Sequence, residues 1–322
     1  MDSLQPHIKL LPMSAKLRRG DFVEVKPAEE ILATLDADGT IDNLPFMPEM
    51  LAFCGKRFQV SERVLSMCHS GFNPGMRVFR ADDVVILDSL RCSGANHDGC
   101  QKACMIFWRE AWLRKVDRAA PHSGSGSEDN SQWQACLKTT TGTQIYFCQA
   151  SELLKATNES SLKSRIAKAY SEVRVGNCHA LEMARRIAIW LSRRISRVIF
   201  GTYAYARGNK KSTPLGVLNL QPGERVQVKS MESIVETLNE YARNRGLLFF
   251  PNMSSLCGSG QTVQQRLDKI IVDGTGEMRQ MRNTVYLEGS CCRCAQLALG
   301  GCSRHEFAYW REIWLQRIIH PS

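Results

Sequence analysis

The chain has 322 residues, more than one small hydrophobic core usually spans, so two or three domains are expected. Hydrophobic content of 43% and charged content of 23% exclude a fibrous or disordered chain, and no run approaches the roughly 18 apolar residues of a membrane helix. A formal charge of +10 points to an anionic partner without naming one.

The start, MDSLQPHIKLLPMSAKLRRGD, has no continuous apolar stretch and no small-residue cleavage site. A cytoplasmic protein is therefore expected. There, thirteen cysteines are more readily metal ligands than disulfides.

In chain order, Gly20-Asp21-Phe22-Val23-Glu24-Val25-Lys26 opens the first unit with an alternating strand, and residues 28–35 carry a short helical pattern. Leu44–Met50, apolar and punctuated by Pro45 and Pro48, is read as a wall packed on the sheet. Strand signals follow at Arg57–Val60 and Val84–Leu87.

Cys92–Val116 then combines Cys92, His97, Cys100 and Cys104 with a segment bearing Trp108 and Trp112, whose spacing predicts a helix. Four thiol or imidazole donors within thirteen residues, with Gly94 and Gly99 permitting tight turns, match what a tetrahedral metal site requires. On a helix, Cys100 and Cys104 would share one face.

Residues 121–132 read as a linker, and TTTGTQIYF lies strand-like between Cys136 and Cys148. Helices are expected from Ser161 to Val173 and from His179 to Ile199. Residues 159–211 hold twelve Lys or Arg against three Asp or Glu, a balance of +9. Arg186, Arg193 and Arg197 fall on one stripe of the second helix and are the candidate contacts to an anionic partner, either nucleic acid or an acidic protein.

The opening motif returns 203 positions later as Gly223-Glu224-Arg225-Val226-Gln227-Val228-Lys229, and the register persists through Phe46, Pro48, Met50, Cys54 and Gly55 against Phe249, Pro251, Met253, Cys257 and Gly258. Trp310-Arg311-Glu312-x-Trp314-Leu315 repeats Trp108-Arg109-Glu110-x-Trp112-Leu113. An internal duplication follows: a first metal-binding module over 16–118, a linker and basic helical insert over 119–218, and a second module over 219–322. The second copy's candidate ligands are Cys292, Cys294, Cys302 and His305, with Cys291 adjacent. Cys54, Cys136, Cys148, Cys178 and Cys257 are read as packing thiols, with a ligand role as the alternative, and Cys68-His69 has no counterpart in the second copy.

The expected architecture is α+β: two duplicated small β-barrel-like modules, SH3-like in their opening strand, each closed by a Cys/His site and a Trp-rich helix, with an α-helical insert between them. Structural zinc is the expected metal, with a [2Fe–2S] or other iron–sulfur cluster as the alternative. No P-loop, dinucleotide fingerprint or Ser–His–Asp pattern indicates an enzyme or a small-molecule substrate. The expected role is that of a binding or regulatory protein, with an iron–sulfur redox or biosynthetic accessory protein as the alternative and enzyme status left open.

The motifs Gly-Asp-x-Val-Glu-Val-Lys, Glu-Ile-Leu-Ala-Thr-Leu-Asp, Leu-Pro-Phe-Met-Pro-Glu-Met and Cys-x4-His-x2-Cys-x3-Cys before Phe-Trp-x-Glu-x-Trp-Leu resemble a bacterial protein family to which no activity is attached. The resemblance implies a bacterial, cytoplasmic protein and transfers no catalytic residue.

Overall fold

The computed structural model describes residues 16–69, 75–117, 131–200, 206–292 and 301–318. It is mixed α+β, and all of its paired strands are antiparallel among the described residues.

The first main sheet uses β1 (Phe22–Val25), β2 (Arg57–Arg63), β3 (Val84–Arg91), β4 (Met105–Arg109) and β5 (Leu113–Val116). Its spatial order is β4-β3-β2-β1-β5. The second uses β6 (Arg225–Val228), β7 (Gly260–Arg266), β8 (Thr284–Leu287), β9 (Trp310–Arg311) and β10 (Leu315–Arg317), in the corresponding order β9-β8-β7-β6-β10. The register breaks between Val60 and Glu62 in one sheet and between Val263 and Gln265 in the other. The two sheets thus share an order and an irregularity at the 203-residue offset.

Alternation explains the strands. Val23 and Val25 are fully buried, as are Val226 and Val228. Burying one Val side chain is worth about 1.5–3 kcal/mol, so a one-residue slip of either strand would forfeit several kcal/mol.

The Trp-rich segments are not helices. Trp108 lies in β4, which ends at Arg109, Glu110–Trp112 makes a single 3-10 turn, and β5 begins at Leu113; the second copy repeats this with Trp310 and Arg311, Glu312–Trp314 and Leu315. A four-residue spacing also fits strand, turn and strand, and here the turn swings both indoles into the core. All four tryptophans are completely buried. Phe46 meets Trp108 and Trp112 edge-on at 6.4 and 5.3 Å between centroids, and Phe249 meets Trp310 and Trp314 at 6.2 and 5.3 Å. Edge-on aromatic pairs of this kind add about 0.5–1.5 kcal/mol each beyond area burial.

The insert enters the first module. Leu137, Cys148, Ala150, Leu153 and Ala156 belong to its core, and Thr157–Glu159 pairs with Gly75–Phe79. Gln149 accepts from Phe107 N–H at 2.9 Å and donates to the Phe107 and Pro45 carbonyls at 2.9 and 3.0 Å. Two helices follow, α1 (Leu162–Arg174), capped by Ser161, and α2 (Ala180–Phe200). Among the described residues no helix is long and apolar enough to cross a membrane.

Glu172 on α1 is 2% exposed. Its buried Oε1 has no hydrogen-bond partner among the described residues. Burial, and then the Glu62 carboxylate, push its carboxyl up to about 8. A carboxyl with a raised folded-state value favours folding below its unfolded value and loses that contribution as pH rises through about 8. Glu172→Gln should therefore match the unmodified protein near pH 4.5 and exceed it by on the order of 2–4 kcal/mol near pH 9 in urea unfolding. Equal stabilities at both pH values would contradict the assignment.

Candidate metal centre

The loop between β3 and β4 is short and tightly turned. Cys92 N–H bonds the Cys104 carbonyl at 2.8 Å and closes its base. Within it, His97 and Gly99 N–H both reach the Gly94 carbonyl at 3.0 Å, and Cys100 N–H reaches the His97 carbonyl at 3.1 Å. Gly94 has φ +70°, and a Cβ there would stand 2.0 Å from the Cys100 carbonyl oxygen. Gly94→Ala cannot be absorbed by moving a flexible side chain. A loss of about 3 kcal/mol or more in urea unfolding is expected, because a strained backbone and a steric clash coincide.

Cys100 and Cys104 do not lie on a helix. Residues 100–104 run without regular structure into β4. Cys92, His97, Cys100 and Cys104 nevertheless line one cavity of about 20 Å3, together with Cys148, Lys102, Met47 and Ile271. That space suits an occupant near the size of one water molecule.

Glu49 adds a carboxylate. It sits in the 3-10 turn Pro48–Phe53, so the Leu44–Met50 wall carries a donor as well as core residues. Donor atoms of Glu49, Cys92 and His97 lie within 4.8 Å of one another. Glu49 Oε1 meets His97 Nδ1 at 2.6 Å, while its buried Oε2 has no hydrogen-bond partner among the described residues. His97 Nε2 donates to the Phe147 carbonyl at 2.9 Å. Burial opposes the charge on both groups, but their mutual bond outweighs it: the His97 imidazole is raised and the Glu49 carboxyl lowered. His97 can coordinate an ion only by giving up one of its two bonds.

Three of the thiols, Cys92, Cys104 and Cys148, are held protonated by their surroundings. Burial pushes Cys104 up to about 12 and Cys148 up to about 11, and burial plus the Glu49 carboxylate raise Cys92 strongly. A divalent cation reverses this, because thiolate coordination displaces the proton. Cys100 Sγ accepts the Ile271 N–H at 3.3 Å, so the second module reaches the site.

A buried charge cluster borders it. Lys102 bonds Asp273 and stands 3.3 Å from Glu306; Arg304 bonds Asp273 at 2.8 and 3.2 Å and also reaches Glu306. Burial would raise the Asp273 carboxyl, but Arg304 and Lys102 outweigh that and hold it well below the usual range.

Among the described residues, the second candidate set forms no group of three donors within 4.8 Å. Cys302 accepts the Cys68 N–H at 3.2 Å, His305 Nε2 bonds Glu62 at 2.7 Å, and Cys292 N–H bonds the Glu306 carbonyl at 2.6 Å. Cys294 lies outside the described residues. Among the described residues, Glu49, Cys92 and His97 are the one group of three donors found within that radius. The second copy has Asn252 where the first has Glu49, which removes a carboxylate from the matching turn.

On α2, Arg186 is half-buried and pairs with Glu182 at 3.1 Å, so part of its charge is already spoken for. The side chains of Arg193 and Arg197 lie outside the described residues.

Glu49 and Cys148 were not among the expected ligands. A carboxylate between Pro48 and Met50 in an apolar run was the available signal for the first. Nothing local singles out the second. No protein-family model, no curated protein and no solved structure matches the chain.

Proposed function

We propose that the chain is a duplicated-module metal-binding protein with one buried metal centre in its first module, acting as a binding or regulatory protein. The observation that carries this reading is the convergence of Glu49, Cys92 and His97, with Cys100, Cys104 and Cys148 lining the same cavity. Zinc is the proposed metal, since borderline N, S and O donors around a one-ion space suit it. Reduced thiols are required, which fits a cytoplasmic setting. The strand order, with a 3-10 turn before the last strand, supports reading both modules as SH3-like half-barrels over 16–118 and 219–322, the 119–218 segment bracing the first.

One observation favours an iron–sulfur cluster as a second reading. A zinc ion bound by four thiolates at 2.3 Å needs sulfurs about 3.8 Å apart. Four thiols line the cavity, but no three of them fall within 4.8 Å of one another among the described residues. A wider, multi-iron occupant would use that spacing.

Anaerobic purification, elemental analysis and an absorption spectrum test both readings. One zinc per chain without visible bands is the expected result. Iron with acid-labile sulfide and visible charge-transfer bands would replace zinc by a cluster. A fully folded, metal-free chain that takes up neither would overturn the proposal.

A further inference from the structure

The two modules differ at one matched position in a way that changes charge. In the first, Arg109 at the end of β4 is fully buried and neutralised by Asp83 at 2.6 Å and Asp42 at 3.3 Å. Arg311 is its counterpart, because Val84 pairs with Arg109 as Thr284 pairs with Arg311. The turn holding Asp42 follows Ile41, which pairs with Leu44; its counterpart follows Asn244, which pairs with Leu247, and carries Arg245. Asp83 is matched by Asn283, and Asp82 by Arg282. At these three positions the second copy carries two arginines and an asparagine where the first carries aspartates.

The result is a cleft of about 540 Å3 lined by Lys211, Arg245, Arg282 and Arg311, with Ser212, Thr213 and Gln280. No carboxylate lines it. None of the four cations forms a salt bridge among the described residues, whereas the equivalent Arg109 forms two. Arg311 donates to the carbonyls of Arg282 and Arg245, the second at 3.0 Å, and so fixes both turns beside the cleft. Its buried Nε has no partner among the described residues. Burial, with Arg245 nearby, lowers the Arg311 guanidinium, as expected for a cation crowded by another and unrelieved by an anion. Hydroxyls of Ser212 and Thr213 at the rim are further donors, although Thr213 Oγ1 also accepts the Arg245 N–H at 2.9 Å.

We propose that this cleft binds a multiply charged phosphate ligand, the phosphates of a nucleotide or of a nucleic-acid strand. Guanidinium forks suit phosphate oxygens, and the volume is that of an ordinary ligand site. This does not rest on the metal centre.

The test is competition binding with the full chain at about 50 mM salt, using fluorescein-labelled oligothymidylate, sodium tripolyphosphate and ATP as probes. The informative variant is Arg245→Asp/Asn283→Asp, which gives Arg311 the two carboxylates that Arg109 already has and so preserves a packing the fold accommodates. Tripolyphosphate should bind the unmodified protein with Kd below about 1 mM. The double variant should bind at least about tenfold more weakly, with no loss of melting temperature and no change in metal content. Tighter binding of the oligonucleotide than of ATP, lost in the variant, assigns a strand; the reverse assigns a nucleotide. Absence of tripolyphosphate binding, or equal binding by the double variant, would overturn the proposal. Oligonucleotide binding that is lost in Arg186→Gln and kept in the double variant would overturn the strand as the cleft's ligand.

Discussion

Cys92→Ser is expected to empty the first module of its metal and to lower its stability by several kcal/mol. Structural metal sites contribute on the order of 10 kcal/mol in small modules, and a fraction of that is a large part of a domain's net stability. Cys92 closes the base of the loop, stands beside Glu49 and lines the cavity, so its sulfur has no substitute. Cys104→Ala and Cys148→Ala should lose metal too, while Cys178→Ala, in the α1–α2 cluster, should retain it. Elemental analysis beside circular-dichroism melting separates the cases. Chelator should lower the melting point of the unmodified protein and leave that of Cys92→Ser unchanged. Full metal content in all three site variants would show that the thiols only pack.

Asp273→Asn should destabilise the chain by about 3–5 kcal/mol, the effect of removing one partner from a buried ion network. Lys102, Asp273 and Arg304 are each at most 6% exposed, and without the Asp273 charge the two cations share only Glu306. Lys102→Met with Asp273→Asn should cost less than the sum of the single changes, since the uncompensated cation is gone. Urea unfolding of the four proteins in this cycle measures the coupling. Strict additivity would mean that the ions are stabilised independently.

The matching strand orders were legible because the repeated residues build the sheets: Val23 and Val25 against Val226 and Val228, and the paired tryptophans. The tryptophan segments were misread because indoles four apart satisfy a helix as well as a strand bent by one 3-10 turn. Cys92, His97, Cys100 and Cys104 were visible as donors because one loop holds them all. Glu49 and Cys148 arrive through tertiary folding from 43 residues before and 44 after Cys92 and Cys104 respectively, beyond any local pattern. Cys302 and His305 resemble the first set in sequence, but among the described residues they join no group of three donors within 4.8 Å, and Cys294 lies outside those residues. The cationic cleft was invisible for a related reason: its residues come from three separate turns and the start of a fourth, and only the comparison of Arg109 with Arg311 reveals the missing counter-charges.

The Ile271 N–H on Cys100 and the Asp273 carboxylate on Lys102 tie the donor loop of one repeat to a hairpin of the other. Ancestral twins normally become free to diverge, one keeping the old task while its sibling explores. Here that freedom is curtailed. A change near residues 271–273 alters the surroundings of Cys100 and Lys102 although it lies in the repeat that shows no three-donor group among the described residues, so each copy inherits the constraints of its sibling.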